Sequence, residues 1–267
     1  MGKAQKRARK KEFRDQRLAE YAAGARRRRL AMFVAVAVAL LALIAVAIGS
    51  GFVGGDEGDE DSPAAQGDTG TGDVACGGDD PPEAEPMQYD AAPEDQLERG
   101  VDYRAVVHTS CGDIEMDLLE KKAPATVSNF IFLANEGFYD GLSWHRVERN
   151  TVVQTGDPNG INGEEPDGPG YGIKDEPPKA SSEYVYGVVG MANAGPGTAG
   201  SQWFIVTFKD GPAGYQPLYA IFGKVDEGSY ETLEKIDKLP TKGGNDAVQA
   251  VQPQTPVFIE SIEILES

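Results

Sequence analysis

Between Gly187 and Val206 the chain reads Gly-Val-Val-Gly-Met-Ala-Asn-Ala-Gly-Pro-Gly-Thr-Ala-Gly-Ser-Gln-Trp-Phe-Ile-Val. Two apolar runs flank a loop of small residues and glycines, and neither run is long enough for a helix. Val188 to Ala192 and Trp203 to Thr207 therefore read as short buried strands, and Asn193 to Gly200 as a turn that lets backbone approach a ligand closely. Strand side chains alternate faces, so Gln202 and Phe204 project to one side and offer an amide beside an aromatic ring. That pairing suits a peptide segment.

A chain built around such a pair needs further strands, and the pattern supplies them. Tyr103 to Thr109 and Asp113 to Leu119 alternate around Cys111-Gly112 and predict a hairpin. Further strands are expected at Ser143 to Val147, Val152 to Thr155, Gly187 to Ala192, Gln202 to Thr207, Tyr219 to Val225 and Val257 to Ile264. Pro124 to Asn135, with Val127, Phe130, Ile131 and Ala134 on one face and Gly137 beyond, predicts a helix. A second fits Tyr230 to Lys238, with Ser229 as N-cap and Leu233 and Ile236 inward. Eight strands in one domain of this size predict a mainly β fold, a closed or nearly closed eight-stranded barrel with two helices, because closure removes sheet edges. Pro158 to Pro178 reads as a surface loop.

The central stretch also carries a resemblance. Met191-Ala-Asn-Ala-Gly-Pro196 with Gly200-Ser-Gln-Trp-Phe-Ile205 is similar to the signature of the cyclophilin family of peptidyl-prolyl cis-trans isomerases. Trp144-His-Arg-Val147 with Gln154-Thr-Gly-Asp157 resembles a second block of that family, and Phe222-Gly-Lys-Val225 a third. The resemblance implies an eight-stranded antiparallel barrel capped by a helix at each end.

Ahead of this domain the charge is sharply divided. The first 29 residues hold twelve Lys/Arg against three Asp/Glu, leaving thirteen basic and forty acidic groups for the rest. Between the two lies Leu30 to Ile48, uncharged and free of proline, about 28 Å long as a helix and so able to span a bilayer. Arg26 to Arg29 abut it, and the positive-inside rule then puts the N-terminus in the cytoplasm and the remainder outside. A cleaved signal peptide has a shorter apolar region placed earlier in the chain. A polybasic flank beside an anchor is already explained by orientation and anionic lipid, so nucleic acid is not assigned as a partner. From Gly49 to Glu98 there is no Lys or Arg, and the Gly/Pro/acid composition reads as a self-repelling tether. The expected division is 1–29 cytoplasmic tail, 30–52 transmembrane anchor, 53–98 tether and 99–267 isomerase-like domain. Together with the resemblance, this division leads to the expectation of a single-pass, extracytoplasmic monomer acting on proline-containing secreted polypeptides.

A peptidyl-prolyl bond turns slowly because amide resonance must be broken, a barrier of ~18–20 kcal/mol. Catalysis needs only a site that binds the twisted amide better than the planar one, through a fixed charge and an apolar wall. A guanidinium supplies that charge without titrating. The resemblance makes Arg146 the catalytic arginine, with Gln154 holding it or the substrate backbone, and Phe204 and Met191 walling the proline pocket. It further implies that Ala192, Asn193 and Gln202 contact the residues before the proline.

The chain departs from the family at four places. Thr151 and Val152 stand where an aromatic residue and a methionine are usual, Tyr219 where many relatives have histidine, and no tryptophan is found near Gly214 and Tyr215. The resulting substrate-binding set is Thr151, Val152, Met191, Ala192, Asn193, Gln202, Tyr215 and Tyr219. His108 and His145, the two histidines, lack a Ser or Cys arrangement that would make them catalytic and are read as structural. No metal and no cofactor are assigned. A non-catalytic proline-peptide-binding module and a purely structural envelope protein stay open on these residues alone. The two cysteines, Cys76 and Cys111, lie on what is read as the oxidising side and are expected to pair, which would fasten the segment from Cys76 to Tyr103 against the barrel wall. Unpaired thiols, and a lipidated Cys76, are the alternatives.

Overall fold

The alternation in Tyr103 to Thr109 and Gly112 to Leu118 has its physical expression in a hairpin whose one face is inside. In the computed structural model, which describes residues 74–82, 84, 87–160, 168–245, 247 and 249–267, strands β1 (Tyr103–Thr109) and β2 (Gly112–Leu118) pair antiparallel from Arg104↔Asp117 to Thr109↔Gly112. Ala105, Val107, Ile114 and Met116 are fully buried between them and the rest of the core. The remaining strands are β3 (Arg146–Glu148), β4 (Val152–Thr155), β5 (Val188–Met191), β6 (Trp203–Val206), β7 (Ile221–Val225) and β8 (Ile259–Glu266). All eight form one antiparallel sheet in the order β3-β4-β6-β5-β7-β2-β1-β8.

The sheet curls, but it does not close as a ring of paired strands. Its two end strands, β3 and β8, are joined ahead of their first residues by the isolated bridge Ser143↔Phe258, with Trp144 N–H donating to Val257 O at 2.9 Å. The expected third strand, Ser143 to Val147, is thus split: its start forms the bridge and only Arg146–Glu148 pairs with β4. Among the described residues the fold is a curled half-barrel of eight strands with two α-helices.

Helix α1 (Pro124–Glu136) begins on proline and ends at Gly137 in the left-handed region, φ 78°, as its punctuation predicts. Its N-terminus is capped from a distance. Glu176, some fifty positions on, accepts from the Ala125 and Thr126 N–H groups at 3.1 and 2.9 Å, putting a carboxylate on the positive helix end. Helix α2 (Tyr230–Asp237) buries Leu233 and Ile236 as expected, but Ser229 does not cap it. The Ser229 hydroxyl is taken by the Glu115 N–H of β2, at 2.9 Å.

The core divides into two clusters separated by the sheet. The interior holds the aromatic group of Phe130, Phe138, Tyr139, Trp144, Trp203 and Phe222, with Trp144 and Trp203 edge to face at 5.2 Å. The second cluster, on the other face of β4, β6, β5 and β7, contains Val152, Tyr184, Val188, Phe204, Val206 and Ile221. These four strands are covered on both sides, which explains why they read as apolar runs without alternation.

Two expectations about the N-terminal region meet different outcomes. The tail, Leu30 to Ile48 and the tether up to residue 73 lie outside the described residues, and among the described residues no helix is long and apolar enough to cross a membrane. The described residues between 74 and 98, assigned to the tether on composition, instead form a strap laid along the domain, as the expected cysteine pairing implies. Cys76 is disulfide-bonded to Cys111, with Cα atoms 5.0 Å apart. Ala75 N–H donates to Pro256 O at 2.9 Å, Tyr89 N–H to Pro169 O at 2.9 Å and Gln96 N–H to Ser128 Oγ at 2.8 Å. Met87, Tyr89 and Leu97 pack on the interior cluster. Composition missed this because a few apolar residues spaced along a polar stretch suffice when backbone bonds and a covalent tie share the ordering cost.

Candidate active site

Register lines up the central residues. Arg146 on β3 is opposite Gln154 on β4, Gln154 is opposite Phe204 on β6, and Phe204 is opposite Gly190 on β5. Because directly opposed residues share a face, Arg146, Gln154 and Phe204 form one row across three strands, with Cα atoms about 5 Å apart at each step. Gly190 completes the row for a steric reason. A Cβ there would lie 2.5 Å from Phe204 Cζ, so only glycine leaves room for the ring.

The guanidinium is held from two sides. Arg146 Nη1 donates to Gln154 Oε1 at 3.0 Å, while Nε and Nη2 donate to Glu148 Oε1 at 2.9 and 2.5 Å. Those bonds use three of its five N–H groups and leave two for a ligand. The chain continues through Gln154 Nε2 to Gln202 Oε1 at 2.9 Å and Gln202 Nε2 to Asp157 Oδ2 at 3.1 Å. An acid-anchored line of amides thereby fixes which way each amide points and delivers a charged donor at its end. Glu148 and Asp157 were not singled out from the sequence. Glu148 was accessible to it, two positions after Arg146 on the same strand face; Asp157 was quoted only as part of a motif.

Beside this line stands an aromatic wall. Phe204 is 5 % exposed and meets Tyr215 and Tyr219 edge to face at 5.8 and 5.5 Å. Tyr219 is pinned by the fully buried Tyr184, whose hydroxyl donates to Tyr219 O at 2.8 Å and accepts from Tyr219 N–H at 3.0 Å. Burial pushes the Tyr215 phenol above its ordinary pKa, and the Arg146 guanidinium opposes the shift, which places that ring within electrostatic reach of the arginine. Val152 is buried in the same cluster. Thr151 stands one residue earlier, in the turn between β3 and β4, its N–H bonded to Glu148 O at 2.9 Å.

One expected wall residue is elsewhere. Met191 is fully buried in the interior cluster, opposite Trp203, and points away from the face that carries Phe204. Alternation along β5 and β6 requires this: if Gly190 and Phe204 face outward, Met191 and Trp203 face inward. Ala192, Asn193 and Gln202 do lie together, lining a groove of about 550 Å³ that also touches Gln154. Asn193 is braced by its amide donating to Leu218 O at 3.1 Å. The groove's far wall comes from Gly168 to Gly172 and from Gln88 of the strap. In the sequence those residues read as loop and tether, with the expected Cys76–Cys111 bond the one sign that the latter is held on the domain.

The two histidines have different surroundings. His108 Nδ1 is 2.8 Å from Asp113 Oδ1 across the β1–β2 pair. His145 is 8 % exposed, and burial, with the Arg146 charge in support, pulls its pKa from the ordinary 6.5 to about 4. It is neutral at pH 7. The unfolded chain takes up this proton near pH 6.5 and the folded chain only near 4, so stability is full above 6.5 and is lost as pH falls through that window. The loss is up to ~3 kcal/mol. Measured by denaturant unfolding, the stability of the wild type relative to His145→Gln should fall as pH drops from 6.5 to 4; a difference constant with pH would refute the assignment.

Many known proteins are similar to this chain. Residues 104–264 match the family described as "Cyclophilin type peptidyl-prolyl cis-trans isomerase/CLD". Peptidyl-prolyl cis-trans isomerase A of Mycobacterium tuberculosis is 40 % identical over 177 residues, covering 60 % of this chain and 91 % of that protein. The human peptidyl-prolyl cis-trans isomerase-like 3 is 36 % identical over 162 residues, covering 59 % and 93 %. A crystal structure of a Cryptosporidium parvum cyclophilin type isomerase superposes with a TM-score of 0.54 at 27 % identity, covering 62 % of this chain and 99 % of that one. The matched span holds β2 to β7 whole and most of β1 and β8, and the chain belongs to the cyclophilin-type peptidyl-prolyl cis-trans isomerases.

Proposed function

We propose that isomerisation takes place over the row formed by Arg146, Gln154 and Phe204, and that the substrates are proline-containing segments of extracytoplasmic polypeptides whose folding the enzyme assists. The observation that carries the site is the guanidinium fixed by Gln154 and Glu148 beside the Phe204, Tyr215 and Tyr219 rings. The proline ring packs on Phe204, flanked by Val152 and Tyr219. The two unused N–H groups of Arg146 donate to the prolyl carbonyl and, as the amide twists, to the pyramidal nitrogen whose lone pair is no longer delocalised. No bond is made or broken, so the rate follows from binding the twisted amide more tightly than the planar one. A structure of the same Cryptosporidium isomerase, determined in the presence of the dipeptide Ala-Pro, has a TM-score of 0.53 to this chain and supports a proline-peptide ligand for the fold.

Thr151 is where the site is thinnest. An aromatic ring in that turn would add apolar surface next to Val152, and Thr151→Phe is expected to raise kcat/KM on Ala-Pro peptides by about three- to tenfold. An unchanged or lower rate in a folded variant would mean that the turn does not border the proline.

The extracytoplasmic placement rests on three features: the basic residues Arg26 to Arg29, the apolar run after them and the Cys76–Cys111 disulfide, a bond that persists in oxidising compartments. Protease added to intact cells should release a fragment containing the whole domain. Protection until lysis would overturn the orientation.

A further inference from the structure

The strap that composition assigned to the tether ends up beside the substrate groove. Gln88 lines that groove opposite Ala192, Asn193 and Gln202. Its side chain is not loose: Nε2 donates to Gly168 O at 2.6 Å and to Met87 O at 3.2 Å, which leaves Oε1 as an acceptor at the groove wall. The next residue anchors the position. Tyr89 bonds Pro169 through its N–H, stacks edge to face on Phe132 at 5.1 Å and on Tyr171 at 6.3 Å, and Tyr171 is tied through its hydroxyl to Asn129 Oδ1 at 2.7 Å. Gly170 is fitted to the strap in turn, because a Cβ there would lie 2.7 Å from Tyr89 O and 2.9 Å from Gln88 Oε1. The strap and the 168–172 loop are therefore shaped to each other.

We infer that the N-terminal strap is part of the substrate site, with Gln88 a specificity-determining residue that reads the side chain two or three positions before the proline. This rests on the proposal that the groove beside Gln154 and Gln202 receives the residues preceding the proline. Beside Pro169, Tyr171, Ala192 and Ala194, the groove is lined by the amides and hydroxyls of Gln88, Gln154, Asn193, Thr198, Ser201 and Gln202, and none of its lining side chains is charged. Such a surface favours an uncharged hydrogen-bonding side chain, such as Gln, Asn, Ser or Thr. An aliphatic occupant leaves those groups unpaired, and a charged one loses hydration without a counter-charge. Extended peptides reach this wall, whereas Ala-Pro peptides with alanine at the earlier positions do not exploit it.

The test uses the full chain and hexapeptides carrying Gln, Leu, Lys or Ala at the second or third position before proline, with kcat/KM measured by exchange spectroscopy. The wild type is expected to favour Gln over Leu, and Gln88→Ala to shrink that ratio by about two- to tenfold, the size of one hydrogen bond. Gln88→Glu, which keeps the side-chain length, should shift the relative preference toward the Lys peptide. Ratios unchanged in both variants, or all peptides moving together, would overturn the assignment of Gln88. Arg146→Ala provides the separation: if it still turns every peptide at the wild-type rate, the site reading itself fails, whatever the Gln88 ratios show.

Discussion

Replacing Arg146 by alanine should lower kcat/KM on a proline peptide by at least tenfold while leaving the unfolding midpoint nearly unchanged. Arg146 lies half-buried at the sheet's end strand, and its bonds to Gln154 and Glu148 join groups that water can reach when it is gone. An ion pair with both side chains about a third exposed contributes ~0–1 kcal/mol to stability. In the mechanism proposed above, the same guanidinium faces a nitrogen that has lost resonance, in a pocket from which substrate and rings exclude water. Removing a fixed donor from such a site typically costs more than tenfold in rate. Peptide exchange rates and denaturant unfolding, measured on the same preparation, separate the two quantities. Equal losses of stability and activity would make Arg146 a structural residue, and undiminished activity would move the chemistry elsewhere.

The second large effect concerns the strap. Cys76 and Cys111 are 35 positions apart, and in the chain-entropy account opening a loop of that length costs about 3–4 kcal/mol of stability. Cys76 sits in the left-handed region with φ 64°, unusual for a non-glycine residue, and its neighbour Gly78 approaches Ser110 so closely that a Cβ would lie 2.6 Å from Ser110 Cβ. The covalent tie holds a conformation that the chain would otherwise leave. Cys76→Ser with Cys111→Ser is expected to unfold at markedly lower denaturant than the wild type, and the wild type in strong reductant should behave like the variant. A midpoint unmoved by either treatment would show that the noncovalent contacts of Tyr89, Gln96 and Ala75 hold the strap alone.

Sequence and structure contributed different things to this picture. Period and punctuation determined the strands and both helices, because alternation in Tyr103 to Thr109 and the Pro124 and Gly137 endpoints of α1 are local consequences of backbone geometry. The same alternation put Gln202 and Phe204 on one face, and the ordered motifs around Arg146, Met191 and Phe222 identified the family. Tertiary structure decided what depends on register and distant contacts. Register made a row of Arg146, Gln154 and Phe204, and it turned Met191 inward, which a motif cannot express because it lists residues without faces. Long-range hydrogen bonding drew the Ser229 hydroxyl to Glu115 and away from capping α2, and supplied Glu176, fifty positions away, as the cap of α1. The strap is the extreme case. Its composition looks like tether, and the expected Cys76–Cys111 pairing was the one sign in the sequence that it is fastened to the domain; the complementary surface that Gln88 and Tyr89 meet exists only once the domain has folded.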